Sequence, residues 1–88
     1  MEASKVKAAI EEFNKYRSPE AVAKLIDVGE GFTVIGFSGP FCRSCGLYDY
    51  FDDLKIELEE KMGGPIEISK IEGGESEGYL ITYRKRVK

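Results

Sequence analysis

The chain has 88 residues, 42% of them apolar and 33% charged, with a formal net charge of −3. That length bounds it to a single domain over 1–88, because a chain this short buries only about 60–65% of its unfolded surface and cannot build a second core. The acidic balance argues against nucleic acid as a partner. No apolar run approaches the roughly 20 residues that cross a bilayer, and Met1-Glu2-Ala3-Ser4-Lys5 lacks the apolar stretch of a signal peptide. The expectation is a soluble cytoplasmic protein away from membranes. Charge is carried by many Glu and Lys, Asn14 is the sole asparagine, and Gln, His and Trp are absent, a balance that leans towards a thermophile.

Val6, Ala9, Ile10, Phe13 and Tyr16 recur at helical spacing opposite Lys5, Lys7, Glu11, Glu12 and Lys15, which predicts an amphipathic helix. Ser18-Pro19-Glu20 reads as a fresh helix start, with a capping serine, a first-turn proline and an acid at the positive end. Val22, Leu25 and Ile26 would form that second helix's apolar face, and Gly29 and Gly31 would end it.

Phe32-Thr33-Val34-Ile35-Gly36-Phe37 is β-prone without clean alternation, as expected of a central strand covered on both faces. A turn follows at Ser38-Gly39-Pro40-Phe41. Leu47, Phe51, Leu54, Leu58 and Met62 then give the strongest helical pattern in the chain, stopped by Gly63-Gly64-Pro65. Ile66–Ile71 and Tyr79–Arg84, separated by a Gly- and Glu-rich turn, predict an antiparallel hairpin. Arg84, Lys85, Arg86 and Lys88 read as a solvated strand end.

The expected fold is therefore a small two-layer α/β sandwich of order α-α-β-α-β-β with a three-stranded mixed sheet. Its first two strands, joined through a helix, would be parallel with a right-handed crossover. Three strands leave exposed edges, and a last strand rich in Tyr, Leu and Ile suggests a homodimer formed through an edge or the N-terminal helix.

Cys42-Arg43-Ser44-Cys45 is the chain's one cysteine pair, and it follows the predicted central strand where a helix begins. In the cytosol such a pair is more often catalytic or metal-binding than a staple, although hyperthermophiles keep disulfides inside the cell. A helix N-terminus and Arg43 both favour the thiolate. Asp49, Asp52 and Asp53 form an opposing acidic patch beyond the pair: Asp49 and Asp52 oppose the thiolate if the helix already includes Cys45, whereas dipole and Arg43 prevail if the helix begins after Ser44. Two cysteines without histidine cannot complete a usual zinc site within one chain, so a zinc site would pool Cys42 and Cys45 from two copies. Tyr48, Tyr50, Phe51 and Phe41 gather aromatics nearby, a pattern that suits a core as well as a ligand surface. Without histidine there is no Ser/His/Asp or Cys/His machinery.

The stretch Ile35-Gly36-Phe37-Ser38-Gly39-Pro40-Phe41-Cys42-Arg43-Ser44-Cys45 resembles the active-site segment of thioredoxin-like proteins. An apolar strand ends in an aromatic, and a second aromatic immediately precedes the first cysteine. The resemblance covers about half the chain. It implies a thioredoxin-like β-CxxC-α unit in which Cys42 attacks and Cys45 resolves, supported by Phe41, Arg43 and Pro40, with protein thiols or disulfides as partners and no cofactor. The chain departs from that family in three ways: Gly36 replaces a buried acid, no proline stands in Glu75-Ser76-Glu77-Gly78 before Tyr79, and the helices expected between and after the later strands are missing. The function expected is a small thiol–disulfide oxidoreductase. The competing expectation is a non-enzymatic interaction protein with a structural disulfide or an intersubunit zinc at the same cysteines.

Overall fold

The computed structural model describes residues 1–17, 22–38, 47–74 and 78–86, the side chains of 47–49 and 74 excepted. Along the chain run α1 (Ala3–Arg17), β1 (Val22–Gly29), β2 (Phe32–Ser38), α2 (Leu47–Met62), β3 (Ile66–Gly74) and β4 (Gly78–Lys85). The four strands form one sheet in the order β1-β2-β4-β3, every neighbouring pair antiparallel. Both helices pack on one face of it, and the core lies between the layers. Val6, Ala9, Ile10 and Phe13 of α1 and Phe51, Leu54 and Leu58 of α2 meet Ala23, Ile35, Phe37, Ile66, Ile81 and Tyr83 of the sheet.

The predicted two-layer α/β class is right, and four details of it change. The segment expected as a second helix is strand β1, so the sheet has four strands rather than three and the order is α-β-β-α-β-β. The misreading has a local cause. Ala23 and Leu25 pair with the inward residues Phe37 and Ile35, and the register then slips by one residue at Ile26, so that Val28 is the next to face inward. A bulge of this kind breaks the two-residue period, and Val22, Leu25 and Ile26 fall by accident at helical spacing. Glu30 and Gly31 close the β1–β2 hairpin, with Gly31 at φ +82°, a conformation that glycine adopts without penalty.

The sheet is antiparallel rather than mixed. β2 and β3 do point the same way, since both run antiparallel to β4, but β4 lies between them. This is a split β-α-β unit, in which the two strands joined by α2 are parallel, as expected, without pairing with each other. The last strand is accordingly interior, and the edges are β1 and β3. Finally, β2 is central but, among the described residues, covered on one face only. Its inward residues are Thr33, Ile35 and Phe37, and its outward ones are half-buried at most. The alternation was masked because an inward position is polar (Thr33, whose hydroxyl donates to the Asp27 carbonyl at 2.8 Å) while an outward one, Val34, is apolar.

Three contacts fix the elements relative to one another. Asn14 of α1 donates through Nδ2 to the Ala23 carbonyl at 3.0 Å and accepts the Ala23 N–H on Oδ1 at 2.8 Å. It thereby satisfies both backbone groups of one residue on edge strand β1, the kind of cover that exposed edges require. The buried Tyr83 hydroxyl donates to the Phe51 carbonyl at 2.8 Å, tying β4 to α2. At the end of α2, Gly63 (φ +75°) donates to the Glu59 carbonyl at 2.9 Å, and the Glu59 carboxylate accepts the Ile66 N–H at 3.0 Å. The residue that closes the helix therefore also anchors the first residue of β3.

Candidate functional site

Cys42 and Cys45, with Pro40, Phe41 and Arg43, lie outside the described residues, as do the side chains of Tyr48 and Asp49. What is described is the frame on either side of them. β2 ends at Ser38, and Leu47 is the first described residue of α2, two positions after Cys45. Beside the end of β2 stands the start of β4: Phe37 pairs with Tyr79, and Gly78 lies one residue further out.

This end of the molecule is packed with aromatics. Phe13, Phe37, Phe51 and Tyr79 contact edge-on in sequence, with ring centroids 5.6, 5.0 and 5.6 Å apart. Edge-to-face pairs at such separations add about 0.5–1.5 kcal/mol each beyond the area they bury. Phe37 and Phe51 are almost fully buried. Of the aromatics that the sequence places near the cysteines, Phe51 is thus core, while Tyr50 is half-buried, with the Arg17 guanidinium 5.9 Å from its ring.

Gly78 has φ +84°, and a Cβ built on it would lie 2.5 Å from the Phe37 carbonyl oxygen. Only glycine lets β4 approach β2 so closely here, because any side chain would collide with backbone. In the thioredoxin-like resemblance a proline precedes this antiparallel strand; in this chain glycine opens it.

Asp52 and Asp53, which follow the cysteines in sequence, make different contacts. Asp53 forms an ion pair with Arg17 of α1, so its charge is partly neutralised from the neighbouring helix. Asp52 is exposed and bears on Tyr83, whose hydroxyl is held well above the ordinary tyrosine range by burial first and by Asp52 second. No group of three or more Cys, Asp or Glu residues placed to hold a metal occurs among the described residues. No helix among them is long and apolar enough to cross a membrane.

A second polar cluster, which the sequence did not single out, lies where α1 and α2 meet. Glu12, Asp53 and Glu57 line a cleft with Phe13, Tyr16, Arg17 and Ile56. Glu57 Oε1 is screened from solvent and has no hydrogen-bond partner among the described residues. Burial, then Glu60 and Glu12, raise its carboxyl above the ordinary range, with Lys61 opposing and Asp53 adding a smaller push upward. Helical spacing on both helices placed these residues, but only the packing of α1 against α2 brings them together. No protein-family model, curated protein or solved structure matches the chain.

Proposed function

We propose that the chain is a small thiol–disulfide exchange protein working through Cys42 and Cys45. One observation carries the reading: residues 39–46, which hold both cysteines, join the C-terminal end of central strand β2 to the N-terminal end of α2. Unpaired N–H groups and the dipole at a helix N-terminus stabilise a thiolate. The sequence resemblance to thioredoxin-like proteins supports the same assignment. The Arg17–Asp53 pair weakens one of the acids that would oppose it.

The exchange runs in two steps. The Cys42 thiolate attacks one sulfur of a partner disulfide, forming a mixed disulfide and expelling the other sulfur as a thiolate, which takes up a proton. The Cys45 thiolate then attacks the Cys42 sulfur, forming the Cys42–Cys45 disulfide and releasing the second partner thiol. The pair loses two electrons and the partner gains them. Arg43 would favour the thiolate of Cys42, and Phe41 with Pro40 would shape its approach.

A redox titration with a dithiol buffer, together with the reduction rate of a model protein disulfide, tests the reading. Exchange chemistry predicts a potential near the glutathione poise, a Cys42 pKa clearly below about 8.5, and a trapped mixed disulfide in Cys45→Ser. A disulfide that resists reduction below about −300 mV, with no acceleration of the model reaction, would assign the pair to a structural role instead. Native mass spectrometry showing one zinc per two chains would move the cysteines to the intersubunit metal site.

A further inference from the structure

We propose that the helix-free face of the sheet is a self-recognition surface on which two copies of this chain stack about a two-fold axis parallel to the strands. Among the described residues the sheet is covered by helices on one side only, and its other side has an apolar centre. Ile26 and Leu80 are 51% and 39% exposed. Both flank Gly36, where a built Cβ would lie 3.3 Å from Ile26 and 3.7 Å from Leu80. Gly36 thus leaves a shallow hollow of about 220 Å³ between them, bordered also by Lys24, Ser38 and Tyr79.

The charges around that centre choose the occupant. Cross-strand pairing sets the outward residues in rows. One row runs Lys24, Gly36, Leu80, Glu72 from β1 to β3, and the next runs Asp27, Val34, Thr82, Lys70. Each row carries opposite charges at its two ends, and the sign reverses from one row to the next. A two-fold axis along the strands, passing between β2 and β4, exchanges β1 with β3 and leaves each row at its own height. Lys24 then faces the partner's Glu72 and Asp27 faces the partner's Lys70, each pair occurring twice. In the same arrangement Leu80 enters the hollow over the partner's Gly36.

An isologous interface requires this self-complementarity. A foreign partner would need to carry both charge rows in the same register, whereas a second copy carries them already. Within one chain Lys70 and Glu72 form an exposed ion pair at 3.2 Å, which exchanges for intersubunit pairs at little cost because exposed pairs contribute about 0.2–1 kcal/mol. Stacked sheets lie about 10 Å apart with strands within about 30° of each other, so lysine and glutamate side chains span the gap. Four strands at about 4.8 Å spacing offer of the order of 500 Å² per copy, the low end for a specific interface, so the dimer is reversible.

Sedimentation velocity over a concentration series, with Lys24→Glu and Glu72→Lys variants checked for native circular dichroism, decides the matter. The wild type should be dimeric at high concentration and dissociate on dilution. Each single reversal turns two attractive pairs repulsive and should weaken the dimer by about 10–30-fold. An equimolar mixture of the two variants should restore it. In the mixed dimer the carboxylate introduced into one variant faces the ammonium introduced into the other, and the unaltered Lys24 and Glu72 still face each other. A wild type that stays monomeric throughout, a dimer indifferent to either reversal (the mark of pairing through the β3 edge), or a mixture no tighter than its components overturns the proposal.

Discussion

Replacing Asn14 with alanine removes both hydrogen bonds that cover Ala23 on edge strand β1. A partly buried hydrogen bond contributes about 0.5–1.5 kcal/mol net, so the pair accounts for about 2 kcal/mol. Alanine returns roughly 0.5 kcal/mol through its better helix propensity, and the expected loss is about 1.5 kcal/mol. For a domain of this size that corresponds to a fall in melting temperature of roughly 6–12 °C. Calorimetry measures the fall, and amide exchange should show the Ala23 N–H losing protection out of proportion to the rest of β1. Asn14→Asp sharpens the test: it keeps an acceptor for the Ala23 N–H but sets a carboxylate against the Ala23 carbonyl. That variant should be destabilised at neutral pH and recover as the acid is protonated below about pH 4, where it can donate again. If Asn14→Ala melts within about 2 °C of the wild type, the side chain is not what covers the edge.

Tyr83→Phe, which deletes the buried hydroxyl that donates to the Phe51 carbonyl, should cost about 1–2 kcal/mol in urea unfolding. Because Tyr83 is raised, the unfolded chain gives up this proton first, and wild-type stability should fall as pH rises above the ordinary tyrosine range; the phenylalanine variant should lose that part of the alkaline decline. Glu57→Gln acts in the opposite sense. A carboxyl whose folded pKa is raised supports the fold while protonated and costs stability once charged, so the glutamine variant should be more stable at pH 7, by a few tenths of a kcal/mol after solvent screening. The difference should vanish below the ordinary carboxylate range, and melting curves at pH 3.5 and 7 would show it.

The helices were legible because their cores follow a single period: Val6, Ala9, Ile10 and Phe13 are buried as their spacing requires, as are Phe51, Leu54 and Leu58. Tyr16, at the end of the same stripe, is 67% exposed. The β3–β4 hairpin was equally plain. Legibility failed where a bulge reset the phase of β1, and where Ser18-Pro19-Glu20 supplied a convincing helix start just before a strand. Sheet order was hidden for a different reason, because no local signal tells a chain that β4 inserts between two strands already joined by α2. At the site, the cysteine pair could be read from spacing alone, but the charged rows could not. Lys24, Asp27, Lys70 and Glu72 acquire meaning only through a register that spans four strands.

The insertion of β4 bears on how the protein is made. β4 is the last of the described elements along the chain, yet it supplies the neighbour that both β2 and β3 need. While the ribosome still holds the residues of β4, α1, the β1–β2 hairpin and α2 can assemble, but β3 has no strand to pair with and Tyr83 is not yet in the core. The nascent chain should therefore stay protease-sensitive until β4 has left the exit tunnel and then become resistant in one step, because the β2–β4 pairing, from Phe32 with Arg84 to Phe37 with Tyr79, joins residues far apart in sequence and ties the β3–β4 hairpin to the rest of the sheet.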